Sequence, residues 1–220
     1  MRHPALRAHL GAASAAVMSF VLAACSSPND HASVTADLRT QLEGSDVCAL
    51  LIAPEWPIEK GADLLSGAGV DALIAADLVR REPVENRAKE TPQARISITE
   101  TGRPYLQLHT FGADAAPSPY LCFGKKQIKS IARGDDGVVR YSYRIVGAPA
   151  WAQRSDMRAA FPFLVRLLDR EQHAEVGAVE KDGRWQLPGG PLRTNLAELG
   201  NTGFYPCPYP NALPDEDPCR

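Results

Sequence analysis

Hydrophobic and polar positions change rhythm several times along this chain, and each rhythm names an element. The longest uncharged run comes first, from Gly11 to Ala24, behind a start that carries Arg2 and Arg7. A basic start and an apolar run of that length fit an export signal and are short for a bilayer span. Ser33 to Glu43 reads as a short helix stopped by Gly44, with Ser33 or Thr35 as its cap. Val47 to Ile52 is apolar throughout and is expected as a buried strand. Gly69 to Arg81 carries Val70, Leu73, Ile74 and Leu78 at helical spacing, which predicts a helix ended by Glu82-Pro83. Arg95 to Ile98 and Tyr105 to Phe111 alternate as strands, with a turn at Thr99 to Gly102.

The second half is dominated by alternation. Pro119 to Phe123 and Gln127 to Ala132 are expected as two strands joined by a turn at Gly124 to Lys126. After a turn at Gly134 to Gly137, the strand Val139 to Val146 places Val139, Tyr141, Tyr143 and Ile145 on one face. Arg140, Ser142 and Arg144 fall on the other, so an antiparallel meander with one wet face is expected. Asp156 is positioned to cap a helix through Ala160. Pro162 opens another, with Phe163, Leu164, Leu167 and Leu168 inward and His173 at its end. Lys181 to Gly183 is a hairpin signal between Glu175 to Glu180 and Arg184 to Leu187. The fold class is therefore α+β. A small helical and hairpin lobe (33–111) precedes an antiparallel sheet lobe with covering helices (112–187), within a globular region 33–187. No linker separates the lobes, so one shared core is expected. Residues 188–220 read as a Pro- and Gly-rich tail that packs through Tyr205, Tyr209 and its cysteines.

The apolar run closes on Leu22-Ala23-Ala24-Cys25, which resembles a bacterial lipobox. The resemblance implies a signal peptide at 1–24, a diacylglyceryl thioether on Cys25 and a polar tether at 25–32. Ser26 and Ser27, where an aspartate would mark retention, imply the periplasmic face of a Gram-negative outer membrane. The mature chain would meet the membrane through its lipid, with an envelope protein or peptidoglycan as the expected partner. Loss of Arg2 and Arg7, with no acid removed, changes the formal charge from −2 to −4. That mild negative charge argues against a nucleic-acid binder.

Four cysteines remain besides Cys25: Cys48, Cys122, Cys207 and Cys219. In an oxidising compartment they can form two disulfides in three ways. Cys48–Cys122 is favoured because both residues lie in strand-like runs. Cys207–Cys219 closes a short loop and is worth roughly 3 kcal/mol in the chain-entropy model. No cysteine or histidine spacing suits zinc, and no cofactor is expected.

Leu73-Ile-Ala-Ala-Asp-Leu-Val-Arg-Arg81, followed after a loop by Ile96-Ser-Ile-Thr-Glu-Thr-Gly-Arg-Pro-Tyr-Leu106, resembles the second helix and wing of a winged-helix module. The match covers about residues 66–108. Asp77 stands where the family carries glycine, and basic residues at DNA-reading positions are not evident.

Chemistry is sparse. There is no Gly-x-Ser-x-Gly elbow and no Ser-x-x-Lys set. His31 lies in the tether, which leaves His109, on the face of Tyr105, Gln107 and Phe111 and near Asp114, as the one candidate base. Cys122 beside Lys125 and Lys126 would be an activated thiol if it were not disulfide-bonded. Lys125, Lys126, Lys129 and Arg133 form the densest basic patch, read as a solvated hairpin edge. The expectation is a non-catalytic, lipid-anchored envelope protein that presents a binding or structural surface. A periplasmic hydrolase or transferase using His109 is the alternative, and a DNA-binding winged-helix protein is the third reading.

Overall fold

The computed structural model describes residues 35–205, except 37, 86–90, 134–137, 178, 182–183, 187–189 and 200–201. The signal-like segment, Cys25, Cys207 and Cys219 lie outside the described residues. The chain is mixed α+β, built on a curled, mostly antiparallel sheet with few helices. A helical turn at 38–42 (α1) leads into β1 (Asp46–Leu51). The large sheet has the order β11-β1-β6-β7-β8, from β6 (Ser118–Arg133), β7 (Val138–Val146), β8 (Gln172–Gly177) and β11 (Gly203–Phe204). Strand β5 (Leu106–His109) lies beside the first part of β6, on the edge away from β1. A smaller sheet, β2-β4-β3, comes from β2 (Ile58–Gly61), β3 (Val79–Val84) and β4 (Gln93–Ile98). Strands β9 (Val179–Lys181) and β10 (Arg184–Gln186) form the hairpin expected around residues 181–183.

Helix α2 spans Ala68–Ala75 and ends six residues before Arg81, where its apolar periodicity predicts the end. Asp77 stops it. Its φ of 55° is left-handed. The Asp77 N–H donates to the Ile74 carbonyl and the Leu78 N–H to that of Leu73, a Schellman closure with aspartate in the glycine place. Thr101 Oγ1 donates to Asp77 Oδ2 at 2.6 Å and holds it there. Released from the helix, Val79 to Val84 pairs with β4, and Pro83 is accommodated because β3 is an edge strand. Gly102 admits the return of the chain, since a Cβ there would sit 2.2 Å from the Leu78 carbonyl oxygen.

The expected turn at Gly124 to Lys126 is absent. Strand β6 runs unbroken for 16 residues and absorbs the irregularity as bulges. Val47 opposes Gly124 while Cys48 opposes Cys122, so Phe123 is skipped on the β1 side. Gly124 fits because Ile145 occupies the space a side chain would need, with Cγ2 2.4 Å from an ideal Cβ. The extra residue shifts the alternation by one. Leu121 and Phe123 point into the core, and after the bulge Lys126 and Ile128 do so, not Lys125 and Gln127. A second shift, between Ile128 and Ser130, skips Lys129.

Three helices cover the inner face: α3 (Ala150–Gln153), α4 (Ser155–Ala160) and α5 (Pro162–Leu168). Asp156 does not cap α4. It forms a paired contact with Arg154, and its Oδ1 accepts the neighbouring Met157 N–H. Phe123, Phe161, Phe163 and Phe204 meet edge-on or tilted, with centroids 5.1 to 6.2 Å apart. Both sheets feed one continuous core, so the two expected lobes share their interior. Within the stretch read as a tail, 188–220, the chain forms helix α6 (Gly190–Leu199) and β11, which pairs parallel with β1. Among the described residues, no helix is long and apolar enough to cross a membrane.

Cys48 and Cys122 face each other across β1 and β6 and are disulfide-bonded, closing 74 residues of chain. In the chain-entropy model a loop of that size contributes about 4 kcal/mol. Replacing both cysteines by alanine is expected to lower unfolding free energy by about that amount in urea titrations, whereas an unchanged midpoint would contradict it.

Candidate functional site

His109, the candidate base, lies on the outer face of the large sheet. Its Nε2 is 3.1 Å from Gln107 Oε1, and Gln107 Nε2 donates to Asp46 Oδ2 at 2.9 Å. Lys125 Nζ closes the row at 2.7 Å from Asp46 Oδ1. Because Asp46 holds the amide nitrogen of Gln107, the oxygen of Gln107 faces His109, and Nε2 is the donor. The imidazole packs edge-on to Tyr120 at 5.4 Å and is tilted against Phe111 at 6.5 Å. Ser118 opposes His109 in the ladder, yet its hydroxyl donates to the Pro54 carbonyl at 2.8 Å. This is a hydrogen-bonded stripe with no activated nucleophile on it.

The inner face holds a different set. Lys126 is 1% exposed, so it is removed from the expected basic patch. The bulge carries it inward, where its Nζ lies 2.8 and 2.6 Å from the two carboxylate oxygens of Glu198 on α6. Tyr143 donates its hydroxyl to Glu198 Oε2 at 2.8 Å, and Tyr141 donates to Oε1. The same ammonium lies 4.6 Å from the Tyr143 ring centroid and 5.7 Å from that of Tyr141. Burial draws Lys126 below its ordinary value and pushes Glu198 above its own, and each partner's charge opposes the other's shift. Burial also pushes Tyr143 up to about 12, which keeps it a donor. Four groups thus satisfy one another out of water.

Next to this cluster, between α6, the end of α5 and β8, lies a cavity of about 430 Å³. Tyr143 and Glu198 line it from within, and Leu167 and Val176 supply apolar wall. Arg193 and His173 stand on its rim. His173 was expected to end a helix, but it lies in β8, with its side chain exposed. A second concavity of about 390 Å³ shares His173, Ala174 and Glu175 from the other side of the strand.

No family model matches the chain, and no curated protein or solved structure is similar to it. The site is therefore read from its own chemistry. The structure brings Cys48 and Cys122 together and links His109 through Gln107 to Asp46. Among the described residues, no group of three or more His, Cys, Asp and Glu side chains is gathered as a metal site would require. Glu198, Arg193 and the inward role of Lys126 escaped sequence reasoning. A lysine between strand residues signals a solvated edge unless the bulge before it is known.

Lys126→Met is expected to cost about 3–5 kcal/mol, because it leaves a buried carboxylate uncompensated. Adding Glu198→Gln should recover most of that loss, since the amide oxygen still accepts a tyrosine hydroxyl. Glu198 is already raised, and in Lys126→Met it loses the ammonium that held it down. Protonation then favours the folded state. The deficit of that variant shrinks as pH falls from neutrality towards 4.5, the ordinary value of the group. Urea midpoints across that range measure both effects.

Proposed function

We propose that this chain is a lipid-anchored protein of the bacterial envelope whose folded body serves as a non-catalytic binding or structural surface. The supporting observation is the pairing of Cys48 with Cys122 across the central strands of a chain whose start carries a lipobox-like Leu22 to Cys25. A disulfide joining paired strands belongs to an oxidising compartment, and an export address with an acylated cysteine leads to one. The same reading places the mature chain on the periplasmic face of the outer membrane, held by Cys25 and facing an envelope protein or peptidoglycan.

Catalysis by His109 has less support. Its Nε2 is committed to Gln107, and the cross-strand Ser118 is committed to Pro54. Residues 66–108 are read as winged-helix-like in arrangement. Helix α2 feeds β3 and β4, β2 completes the sheet, and Asp77 closes the helix in the left-handed conformation. Three of its arginines are paired with acids at the surface, Arg80 with Glu82, Arg95 with Glu59 and Arg103 with Glu100, and Arg81 donates to the Leu65 carbonyl. Helix α2 itself carries Asp71 and no basic residue in its last turn. Such a unit suits protein contact better than DNA.

The test is fractionation of a Gram-negative host that expresses the full chain. The wild type should partition with membranes and enter the detergent phase, and Cys25→Ser should be released as soluble or uncleaved protein. Equal partitioning of the two, with no acyl mass on the wild type, would overturn the anchor.

A further inference from the structure

The cavity beside α6 is lined by five consecutive residues of one strand, Gln172 to Val176. Side chains of a strand alternate between faces, so a cavity touching five in a row runs along the strand's edge. Strand β8 pairs only with β7 among the described residues, and it ends the sheet order. Every second residue on such an edge turns its N–H and C=O away from the sheet. Natural edges are usually blunted by lysine, proline or a bulge. The β8 sequence, Gln172-His-Ala-Glu-Val-Gly177, carries no lysine or proline, and its ladder with β7 is regular from Val138↔Gly177 to Tyr143↔Gln172.

Across the gap stands α6. Arg193 and Thr194 face the cavity, and the buried ion pair of Glu198 with Lys126 fixes the helix at that distance. Apolar surface comes from Leu167 of α5 and from Val176 of β8 itself. The rim charges are unequal. Glu175 is 3.6 Å from Arg140. Arg193 and His173 have no ion-pair or hydrogen-bond partner among the described residues. An edge unpaired among the described residues, an apolar wall and the Arg193 guanidinium on the rim are complementary to an extended segment that mixes acidic and apolar residues.

We propose that the groove between β8 and α6 binds an extended, acidic and apolar segment of a partner protein, which adds to β8 as a strand. The proposal rests on the reading of this chain as a binding protein and names the surface and the partner's chemistry. Main-chain hydrogen bonds to β8 supply affinity, apolar side chains enter beside Leu167, and a carboxylate meets Arg193. The chain's own acidic stretch, Asp215 to Asp217, is a poor occupant. The segment leading to it has proline at 206, 208 and 210, and a strand with alternate N–H groups missing loses its ladder on one edge.

The test uses the purified mature chain and a fluorescent octapeptide of alternating glutamate and valine, followed by anisotropy. Binding should be saturable, weaken with salt, and fall about tenfold in Arg193→Glu. Two further peptides are N-methylated at one or the other alternating set of amides. One should bind like the parent and the other not at all, because only one set faces β8. Equal binding of the two, equal competition by free glutamate, an unaffected Arg193→Glu variant or no saturable binding would each overturn the proposal. Binding that emerges only when residues 206–220 are deleted would assign the groove to the chain's own tail and also overturn it. None of these outcomes touches the membrane anchor, which fractionation tests separately.

Discussion

The buried ion pair between Lys126 and Glu198 is the contact on which the second half of the structure depends. It fastens α6 to the centre of a sheet, where the buried Leu199 of the same helix adds an apolar contact. Such a pair is costly to bury and stabilises little against a hydrophobic replacement. Its effect is positional. Two tyrosine hydroxyls and one ammonium converge on one carboxylate, so α6 has one axial register in which all are satisfied. Asn195, one turn earlier, adds a hydrogen bond to the Asp46 carbonyl and ties the same helix to β1.

The pair exists because β6 is bulged. Gly124 lets the strand take an extra residue against Ile145, and the parity shift turns Lys126 from solvent to core. The backbone of Lys126 is held as firmly as its side chain, exchanging hydrogen bonds of 2.9 Å with Gly44 and Ser45 in the turn after α1. On the opposite face, β1 and β6 carry the disulfide, and the stripe from Lys125 through Asp46 to Gln107 and His109 runs over β6, β1 and β5. One irregularity thus sorts the charged residues of β6 between two unlike environments.

Much of the architecture was legible in the chain. The strand at 139–146, the proline start of α5 and the β9–β10 hairpin follow from alternation and turn chemistry. Cys48 and Cys122 sit in apolar runs, and the fold pairs them. What escaped is where tertiary contacts override local pattern. The apolar periodicity of 70–78 continues past Asp77, but the helix does not, because the left-handed aspartate and Thr101 close it. Gly124-Lys-Lys126 has turn composition, and only the neighbouring Ile145 shows why the glycine is needed within a strand. Helix α6 carries Leu192, Leu196 and Leu199 at helical spacing, but behind Pro188-Gly-Gly-Pro191 the stretch reads as tail, and Glu198 has no visible partner without the sheet beneath it. The groove along β8 was hidden for the same reason, since it needs α6 as its second wall.

The most direct measurement is amide hydrogen exchange across residues 190–199, in the wild type and in Lys126→Met, read by mass spectrometry. If the ion pair fixes α6 as the wall of the groove, α6 amides in the wild type exchange nearly as slowly as those of β6 and β7. In the variant they exchange much faster while the sheet stays protected. Unprotected α6 amides in the wild type, or equal protection in both proteins, would contradict the account.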